Sequence, residues 1–218
     1  MSRTLNLPHF LFLNGPPGSG KSTLARMITE SHPSAWRESF AEPIRDMIRA
    51  VFFPEWGPLD SPRDFRDQKV KDSKLAELAN LNLPDEVFDI DPTLREAMIA
   101  FSETYMKPRF GSDIFGRLCF KRCVEQTQFY SSFIIDDLGF SDEAKFIIAR
   151  VGADNCHLVR LHRVGCSFSN DSRSYLSLPG VQTLDLNNNG HPTEMMDMLG
   201  VELGYTTPTA TAPALRGL

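Results

Sequence analysis

The spacing of apolar and polar positions predicts strands and helices that alternate along most of the chain. Apolar runs of strand length lie at residues 9–13, 35–40, 132–136, 156–162 and 181–186. Helical spacing or helix-start residues follow at about residues 22–30, 44–52, 92–107, 113–128, 141–151 and 192–199. Because such alternation is typical of a parallel sheet covered by helices, the pattern predicts an α/β fold.

Prolines and capping residues mark several helix boundaries. Asp91 and Pro92 form an N-cap and N1 pair at the start of the third of these helices. Pro108 is expected to end the same helix, because the residue before a proline disfavours helical geometry. Ser112 or Asp113 can cap the helix that follows.

Four further stretches lack the apolar pattern of a strand or of a helix packed on the core. They are a turn-rich loop at residues 53–62, a charged helix with a solvated face at 63–79, a polar loop at 163–180 and a proline-rich, disordered tail at 205–218. We expect a single domain over residues 1–204. Within it, residues 163–180 have the position of a closing lid, and residues 54–110 form an acceptor-side helical segment.

The most specific motif is a glycine-rich turn between the first strand and the first helix. Gly15, Gly20, Lys21 and Ser22 fill the pattern G-x-x-x-x-G-K-[ST]. Its glycines let backbone N–H groups approach phosphate oxygens, and the helix N-terminus adds its dipole. Lys21 supplies a charge for the β- and γ-phosphates, and the Ser22 hydroxyl can ligate Mg²⁺. The expected ATP-binding residues are Gly15, Pro16, Pro17, Gly18, Ser19, Gly20, Lys21, Ser22 and Thr23.

Composition narrows the class of protein without changing this picture. The 218 residues are 41% hydrophobic and carry a net charge of −5, so no global basic surface points to nucleic acid. The four cysteines form no C-x-x-C pair, and we expect Cys119 and Cys123 to be buried, reduced thiols. The sequence shows no signal-peptide pattern and no apolar run of membrane-spanning length, so we expect a cytoplasmic protein.

Acidic residues at two strand ends are the candidates for metal binding and proton transfer. Asp136 and Asp137 close a predicted strand, where an acid can hold Mg²⁺ directly or through water. Glu42 follows the second strand and precedes a helix that Pro43 opens. Glu42 is therefore either a general base toward an acceptor hydroxyl or an acid that stabilises the helix N-terminus.

Basic and aromatic residues supply candidates for the lid and the acceptor side. Arg163 and Arg173 share the polar loop after a strand, where an arginine can stabilise the transferring γ-phosphate. The expected acceptor-binding residues are Arg45, Glu103, Lys107, Arg109 and Phe110. An aromatic ring beside a cation can hold a base by stacking, although helix packing of Phe110 is an equal alternative.

Taken in order, these motifs resemble the bacteriophage deoxynucleoside monophosphate kinases, a branch of the P-loop kinases. The resemblance rests on "LNGPPGSGKST", "SFAEPIRDM", "LREAMIAFSETYMKPRFGSDIF", "IIDDLGFSDEA", "HLVRLHRVG", "NDSRSYLSLPG" and "LDLNNNGHPTEMMDML". It implies a P-loop NTPase fold, a three-layer αβα sandwich with a parallel sheet and a lid loop. It also implies ATP and Mg²⁺, and a nucleotide or nucleic acid as acceptor.

Two departures from that family concern the acceptor. Those kinases usually have an arginine two residues after the strand-end acid, where this chain has Gly139, and a His-x-x-Glu-like run in the lid, where it has "DSRSYL". Loss of the arginine favours an acceptor without a free phosphate. A related phage group, the kinases of 5-hydroxymethyluracil in DNA, is similar in these features. A local patch of Arg109, Arg117, Lys121 and Arg122 is a candidate DNA contact.

The sequence therefore predicts a kinase that transfers the γ-phosphate of ATP to the hydroxymethyl group of 5-hydroxymethyluracil in DNA. Lys21 is assigned to phosphate binding, Ser22 and Asp137 to Mg²⁺, Glu42 or Asp136 to the base role, and Arg163 or Arg173 to the lid. A deoxynucleoside monophosphate kinase, whose acceptor is a free deoxynucleotide, is the first alternative. A nucleotide-binding switch or assembly ATPase is the second.

Overall fold

The computed structural model describes residues 9–53, 65–66, 68–74, 92–169 and 171–203. Its strands are β1 His9–Asn14, β2 Ala35–Glu38, β3 Ser132–Leu138, β4 Cys156–His162 and β5 Gln182–Asn187. The pairings within this sheet are all parallel, and the strands stand in the order β2-β3-β1-β4-β5. The described part of the chain is thus an α/β fold around a five-stranded parallel sheet.

Helices connect these strands. They are α1 Lys21–Ser31, α2 Glu42–Phe52, α3 Gln68–Lys71, α4 Leu94–Ala100, α5 Lys107–Phe110, α6 Ile114–Gln126, α7 Ser141–Val151 and α8 Pro192–Leu203. A π-helical segment, Phe101–Met106, joins α4 to α5, and a 3₁₀ turn, Ala153–Asn155, follows α7. Among the described residues, no helix combines the length and the apolar character that crossing a membrane requires.

Alternating side chains of the central strand divide the core into two layers. Phe10 and Phe12 of β1 pack with the apolar residues of α2, α6 and α7 on one face. Leu11 and Leu13 point to the other face and pack with α1 and α8. This period of two is the geometry of a strand buried on both sides, and it produces helix, sheet and helix layers.

The two layers place a crevice at the carboxyl edge of the sheet. After β1 the chain enters α1 on one face, whereas after the neighbouring β3 it enters α7 on the opposite face. Neighbouring strands whose connections leave to opposite faces open a crevice between them, and ligands bind there in open α/β sheets. The glycine-rich turn and the acids of β3 both border this crevice.

The helix predicted at residues 92–107 differs from expectation at both ends. It begins at Leu94, because Thr93 accepts a hydrogen bond from the Glu96 amide and Glu96 bonds back to Thr93 in a capping box. Pro108 does not end it, because the backbone widens to π spacing and Lys107 N–H bonds to Ser102. The helical path therefore continues to Phe110.

Several other expectations are confirmed or fall outside the described part. Cys119 and Cys123 are free and buried. Asp113 is at the N-cap of α6, but its carboxylate pairs with Arg117 and not with the helix amides. Asp91, most of the loop at 53–62, about half of the charged stretch at 63–79 and the tail at 205–218 lie outside the described residues.

Candidate active site

The glycine-rich turn is held in its curled form by close neighbours. Gly18 and Gly20 have φ angles of 77° and 101°, which residues with a Cβ rarely adopt. A Cβ on Gly20 would lie 2.3 Å from the Asn188 side chain, which donates a 2.8 Å hydrogen bond to the Ser19 carbonyl. The loop after β5 therefore supports the turn from behind and leaves its backbone amides to the crevice.

Lys21 lies over this turn. Its Nζ donates to the carbonyls of Gly15 at 2.6 Å and Pro16 at 2.8 Å. Burial, with a contribution from the nearby Arg173 charge, lowers the pKa of Lys21 to about 8. Within the described residues, Pro17, Gly18, Gly20, Lys21, Ser22 and Thr23 all line one cavity of about 470 Å³.

Asp136 is the acid that lies beside Ser22. The Ser22 hydroxyl donates to Asp136 Oδ2 at 3.2 Å, and Arg37 of β2 also binds this carboxylate through Nε at 2.8 Å. A hydroxyl and one carboxylate, completed by phosphate oxygens and water, are the usual protein contribution to a Mg²⁺ site. Among the described residues, no cluster of three or more His, Cys, Asp or Glu side chains has the spacing of a metal site.

Asp137 makes its hydrogen bonds on the α2 side of the sheet. Its carboxylate accepts from the backbone amides of Phe40 at 2.8 Å and Ala41 at 3.1 Å, at the start of α2. Ile134 belongs to the core beneath α1, whereas Ile135 and Leu138 both belong to the core on the α2 side, where the register of β3 against β1 shifts. Asp137 also lines the same cavity as Ser22, so its role at a Mg²⁺ site stays a prediction.

Glu42 is the centre of an ion-pair cluster, which disfavours the general-base role, and that role stays a prediction. Its carboxylate accepts hydrogen bonds from Arg45 at 2.9 Å, Arg49 at 3.0 Å and Arg66 at 2.8 Å. Burial favours the neutral acid, but the charges of Arg45 and Arg66 outweigh it and lower the pKa of Glu42 to about 2. Such a carboxylate is a poor proton acceptor at neutral pH.

Cationic side chains are concentrated between this cluster and the glycine-rich turn. The cavity beside the glycine-rich turn is called the phosphate-side cavity, and a second cavity of about 410 Å³ is called the apolar cavity. The two share four cationic side chains, Arg45, Lys71, Arg95 and Arg173. Burial, followed by repulsion from Arg45, lowers the pKa of Lys71 to about 8. Arg45 is almost fully buried, and its Nε has no hydrogen-bond partner in the described part of the chain. Positive charges crowded in this way are a binding site for an anion.

The apolar cavity has both apolar and polar lining residues. Its apolar residues include Phe40, Ile44, Met98, Phe115 and Phe140. Besides the shared cations, its polar residues include Ser102, Glu103, Lys107 and Glu143. Three of the acceptor-binding candidates, Arg45, Glu103 and Lys107, thus line the cavity, and Glu103 pairs with Lys107 at 2.6 Å.

Other acceptor-side predictions lie away from both cavities. Arg109 stacks over Tyr105 at 4.2 Å, and Phe110 is an exposed side chain beyond the cavity lining. In the predicted DNA patch, Arg117 pairs with Asp113, and Arg122 pairs with Glu38 and Asp46. The charges of this helix are thus partly neutralised within the protein.

The two lid candidates contact different parts of the site. Arg163 donates to the Gly18 carbonyl at 3.1 Å and lines the phosphate-side cavity. Arg173 pairs with Asp171 and lies across Gly139, where an added Cβ would be 2.5 Å from Arg173 Cδ. The aliphatic part of the Arg173 side chain therefore covers Gly139, while its guanidinium pairs with Asp171.

The sequence pattern did not single out Arg37, Arg66, Lys71 or Glu143. Arg37 lies within a short strand, and Arg66 and Lys71 belong to a charged stretch that was expected to be a solvated face. The one available signal was for Glu143, an acid two residues into a helix that begins directly after the Asp137 strand.

Comparisons with known proteins add little to this geometry. No family model matches the chain, and no curated protein sequence matches it. Among solved structures, an unliganded sugar kinase from Janibacter sp. HTCC2649 is similar at 11% identity and a TM-score of 0.41, over 92% of this chain and 96% of that one. A likeness of this size carries no functional conclusion, so function has to be inferred from the site itself.

Proposed function

We propose that this protein is a phosphotransferase that uses ATP and Mg²⁺. The glycine-rich turn and Lys21 bind the β- and γ-phosphates, and Ser22 with Asp136 holds the metal. Arg163 and Arg173 reach the phosphate side from the lid loop and stabilise the charge on the transferring group. The four free cysteines fit a reducing compartment such as the cytoplasm.

The acceptor that the geometry supports best is a nucleoside monophosphate. The observation that carries this choice is the group of Arg45, Lys71, Arg95 and Arg173 that lines both cavities. An acceptor phosphate held there lies between the γ-phosphate site and the apolar cavity. The resemblance of the sequence to the phage kinases narrows the proposal to a deoxynucleoside monophosphate, with its diphosphate and ADP as products.

This reaction needs no general base. An acceptor phosphate is already ionised at neutral pH, so an oxygen of the acceptor attacks the γ-phosphorus and ADP leaves without removal of a proton. Glu42 then acts by holding Arg45 and Arg66 toward the crevice. A hydroxyl acceptor, in contrast, would benefit from a base, and the pKa of about 2 makes Glu42 unsuitable for that role.

The hydroxymethyl group of 5-hydroxymethyluracil in DNA is a weaker candidate on the same geometry. Gly139 is one of the sequence features that favour it, and Arg173 lies across Gly139. Arg117 and Arg122 of the basic helix are engaged by carboxylates of the chain. A switch or assembly ATPase would not require an apolar cavity next to the anion site.

A transfer assay distinguishes these functions. Radiolabelled ATP and Mg²⁺ are incubated separately with each of the four common deoxynucleoside monophosphates, with duplex DNA containing 5-hydroxymethyluracil and with unmodified DNA. We expect label on one or more free nucleotides and none above background on either DNA. Lys21→Ala, with its fold checked by thermal melting, is the control for contaminating kinases.

Label on the modified DNA alone would replace the proposal with the hydroxymethyl reaction. ATP hydrolysis without label on any acceptor would favour the switch or assembly ATPase.

A further inference from the structure

The apolar cavity has the size and position for the ring of the acceptor. It measures about 410 Å³, within the usual range for small-molecule sites, and it shares Arg45, Lys71, Arg95 and Arg173 with the phosphate-side cavity. A ligand whose phosphate lies on these cations can direct a flat ring into the cavity that Phe40, Phe115 and Phe140 line. This step rests on the proposed function, because it takes the acceptor to be a nucleotide.

One carboxyl group in this cavity has no role in the chemistry described so far. Glu143 is 5% exposed, lies in the first turn of α7 and lines the cavity. Among the described residues, no lysine, arginine or histidine nitrogen lies within salt-bridge distance of its carboxyl group. A buried acid without a cationic partner is more stable in its neutral form.

The charges that face Glu143 act in both directions. Burial is the main cause that raises the pKa of Glu143 to about 8, and the nearby Asp137 and Glu103 carboxylates add to it. Lys107 and a hydrogen bond from the Phe140 amide act against this increase. The pKa of Arg173 in the lid loop is raised mainly by its hydrogen bond with Asp171, and the Glu143 charge adds to this increase.

The backbone around Glu143 is fixed by close helix packing. A Cβ on Gly116 of α6 would lie 2.4 Å from the Glu143 carbonyl oxygen, so only glycine allows the two helices to approach this closely. Phe115, the residue before Gly116, forms part of the cavity wall. The position of the carboxyl group is therefore set by the scaffold, as a recognition group requires.

A neutral carboxylic acid has a useful pattern for reading a base. Its O–H donates and its carbonyl accepts, whereas a carboxylate only accepts. The pairing edge of each nucleobase presents a donor next to an acceptor, such as N3–H beside O4 in thymine, and proteins read bases along this edge.

We propose that the apolar cavity binds the base of the acceptor nucleotide and that Glu143, as a neutral acid, forms a pair of hydrogen bonds with the pairing edge of that base. Glu143 is then a binding residue for the ring, while the cations shared by the two cavities bind the phosphate.

Calorimetric titration of each deoxynucleoside monophosphate, and of deoxyribose 5-phosphate as a ligand without a base, tests this assignment. Glu143→Leu removes both hydrogen bonds and should weaken the preferred nucleotide about 10- to 100-fold while deoxyribose 5-phosphate is unaffected. Glu143→Gln keeps one donor and one acceptor and should retain nucleotide affinity at pH 7. Asp142→Asn, an exposed neighbour that pairs with Lys145 and Ser112, is the matched control.

The pH dependence gives a second readout. Between pH 7 and pH 9 the wild type should lose about tenfold in nucleotide affinity relative to Glu143→Gln, because a group with pKa near 8 is mostly ionised at pH 9. Comparison at equal pH removes the contributions of Lys21, Lys71 and the nucleotide itself.

A third readout needs no ligand. Between its unfolded pKa of about 4.5 and its folded pKa of about 8, Glu143 binds more proton in the native state, so its contribution to stability falls as pH rises. The melting temperature of Glu143→Gln should therefore gain on the wild type from pH 5 to pH 8.

Several results would overturn the inference. They are an equal loss of nucleotide and deoxyribose 5-phosphate affinity in Glu143→Leu, a Glu143→Gln variant as weak as Glu143→Leu at pH 7, and an unchanged pH dependence in Glu143→Gln. Failure of the proposed function has a different signature: the wild type would transfer phosphate to none of the four nucleotides.

Discussion

At the scale of single residues, the carboxyl groups of this site have different hydrogen-bond partners, and these partners indicate different roles. Glu42 is held by three arginines, Asp136 by a hydroxyl and an arginine, and Asp137 by two backbone amides. Glu143 lacks a cationic partner within the described residues. Four acids in or beside the two cavities can therefore serve arginine positioning, metal binding, helix attachment and base recognition.

Glu42→Gln separates a positioning role from a catalytic-base role. The amide cannot neutralise Arg45, Arg49 and Arg66, so the acceptor-side guanidinium groups lose their common anchor. We expect the acceptor KM to rise about tenfold or more, with a smaller change in kcat and in the KM for ATP, in line with the loss of a buried ion pair. Steady-state kinetics with each substrate varied in turn provides the measurement.

Asp46→Asn is the matched control for this change. Asp46 also pairs with Arg49 from the same helix, but its other ion pair is with Arg122 and not with the cavity-lining Arg45. A loss in kcat of a hundredfold or more in Glu42→Gln, with the acceptor KM unchanged, would restore the base role. The stability that wild-type Glu42 contributes should be lost as pH falls from about 4.5 toward 2, because its folded pKa is lowered to about 2.

At the scale of elements, local sequence signals predicted the order of strands and helices, but the path across Pro108 depended on tertiary context. The π-helical segment places Ser102 and Glu103 on the cavity while the chain passes through the proline. A pattern of apolar residues does not predict such widening, which is frequent at functional sites. Strand alternation alone does not assign Asp136 and Asp137 to their sides either, because the register of β3 against β1 shifts beside them, and only the contacts with Ser22 and the Phe40 amide do so.

Thr93→Ala tests whether the capping box fixes the start of this helical path. Thr93 accepts from the Glu96 amide at 3.2 Å, and Glu96 accepts from Thr93 N at 2.8 Å. Removal of the hydroxyl should lower the free energy of unfolding by about 1 kcal/mol, as measured by urea denaturation. Thr93→Ser, which retains the oxygen, should stay close to the wild type; equal losses in both variants would assign the effect to packing of the Thr93 methyl group.

At the scale of the whole molecule, the site depends on contacts between residues that are far apart in the chain. The Glu42 cluster joins α2 to Arg66, and the cation group combines α2, α3, α4 and the lid loop. Sequence reasoning could single out the glycine-rich turn because its residues are contiguous. It could not predict the group of Arg45, Lys71 and Arg95, because these residues meet only after folding.

Asn14 is the residue that ties the sheet to the lid loop. Its buried side chain donates to the carbonyls of Leu138 at 3.0 Å and Ser174 at 3.2 Å, and accepts from Leu176 N at 3.0 Å. Asn14→Leu leaves these three backbone groups without a partner, so we expect a loss of about 2–4 kcal/mol in the free energy of unfolding. Urea denaturation measures it, and a loss below about 0.5 kcal/mol would show that water replaces the side chain.

The four cysteines differ in accessibility, and the accessible one lies beside the glycine-rich turn, so its alkylation rate can report nucleotide binding. Cys119 and Cys123 are buried residues of α6, and burial raises the pKa of Cys156 to about 12. Alkylating reagents should therefore not react with these three thiols in the native state. Cys166 is partly accessible, and its sulfur would lie 3.2 Å from a Cβ on Gly18 of the phosphate loop. Iodoacetamide should therefore label a single site by mass spectrometry, and ATP should slow that labelling without any change to the sequence.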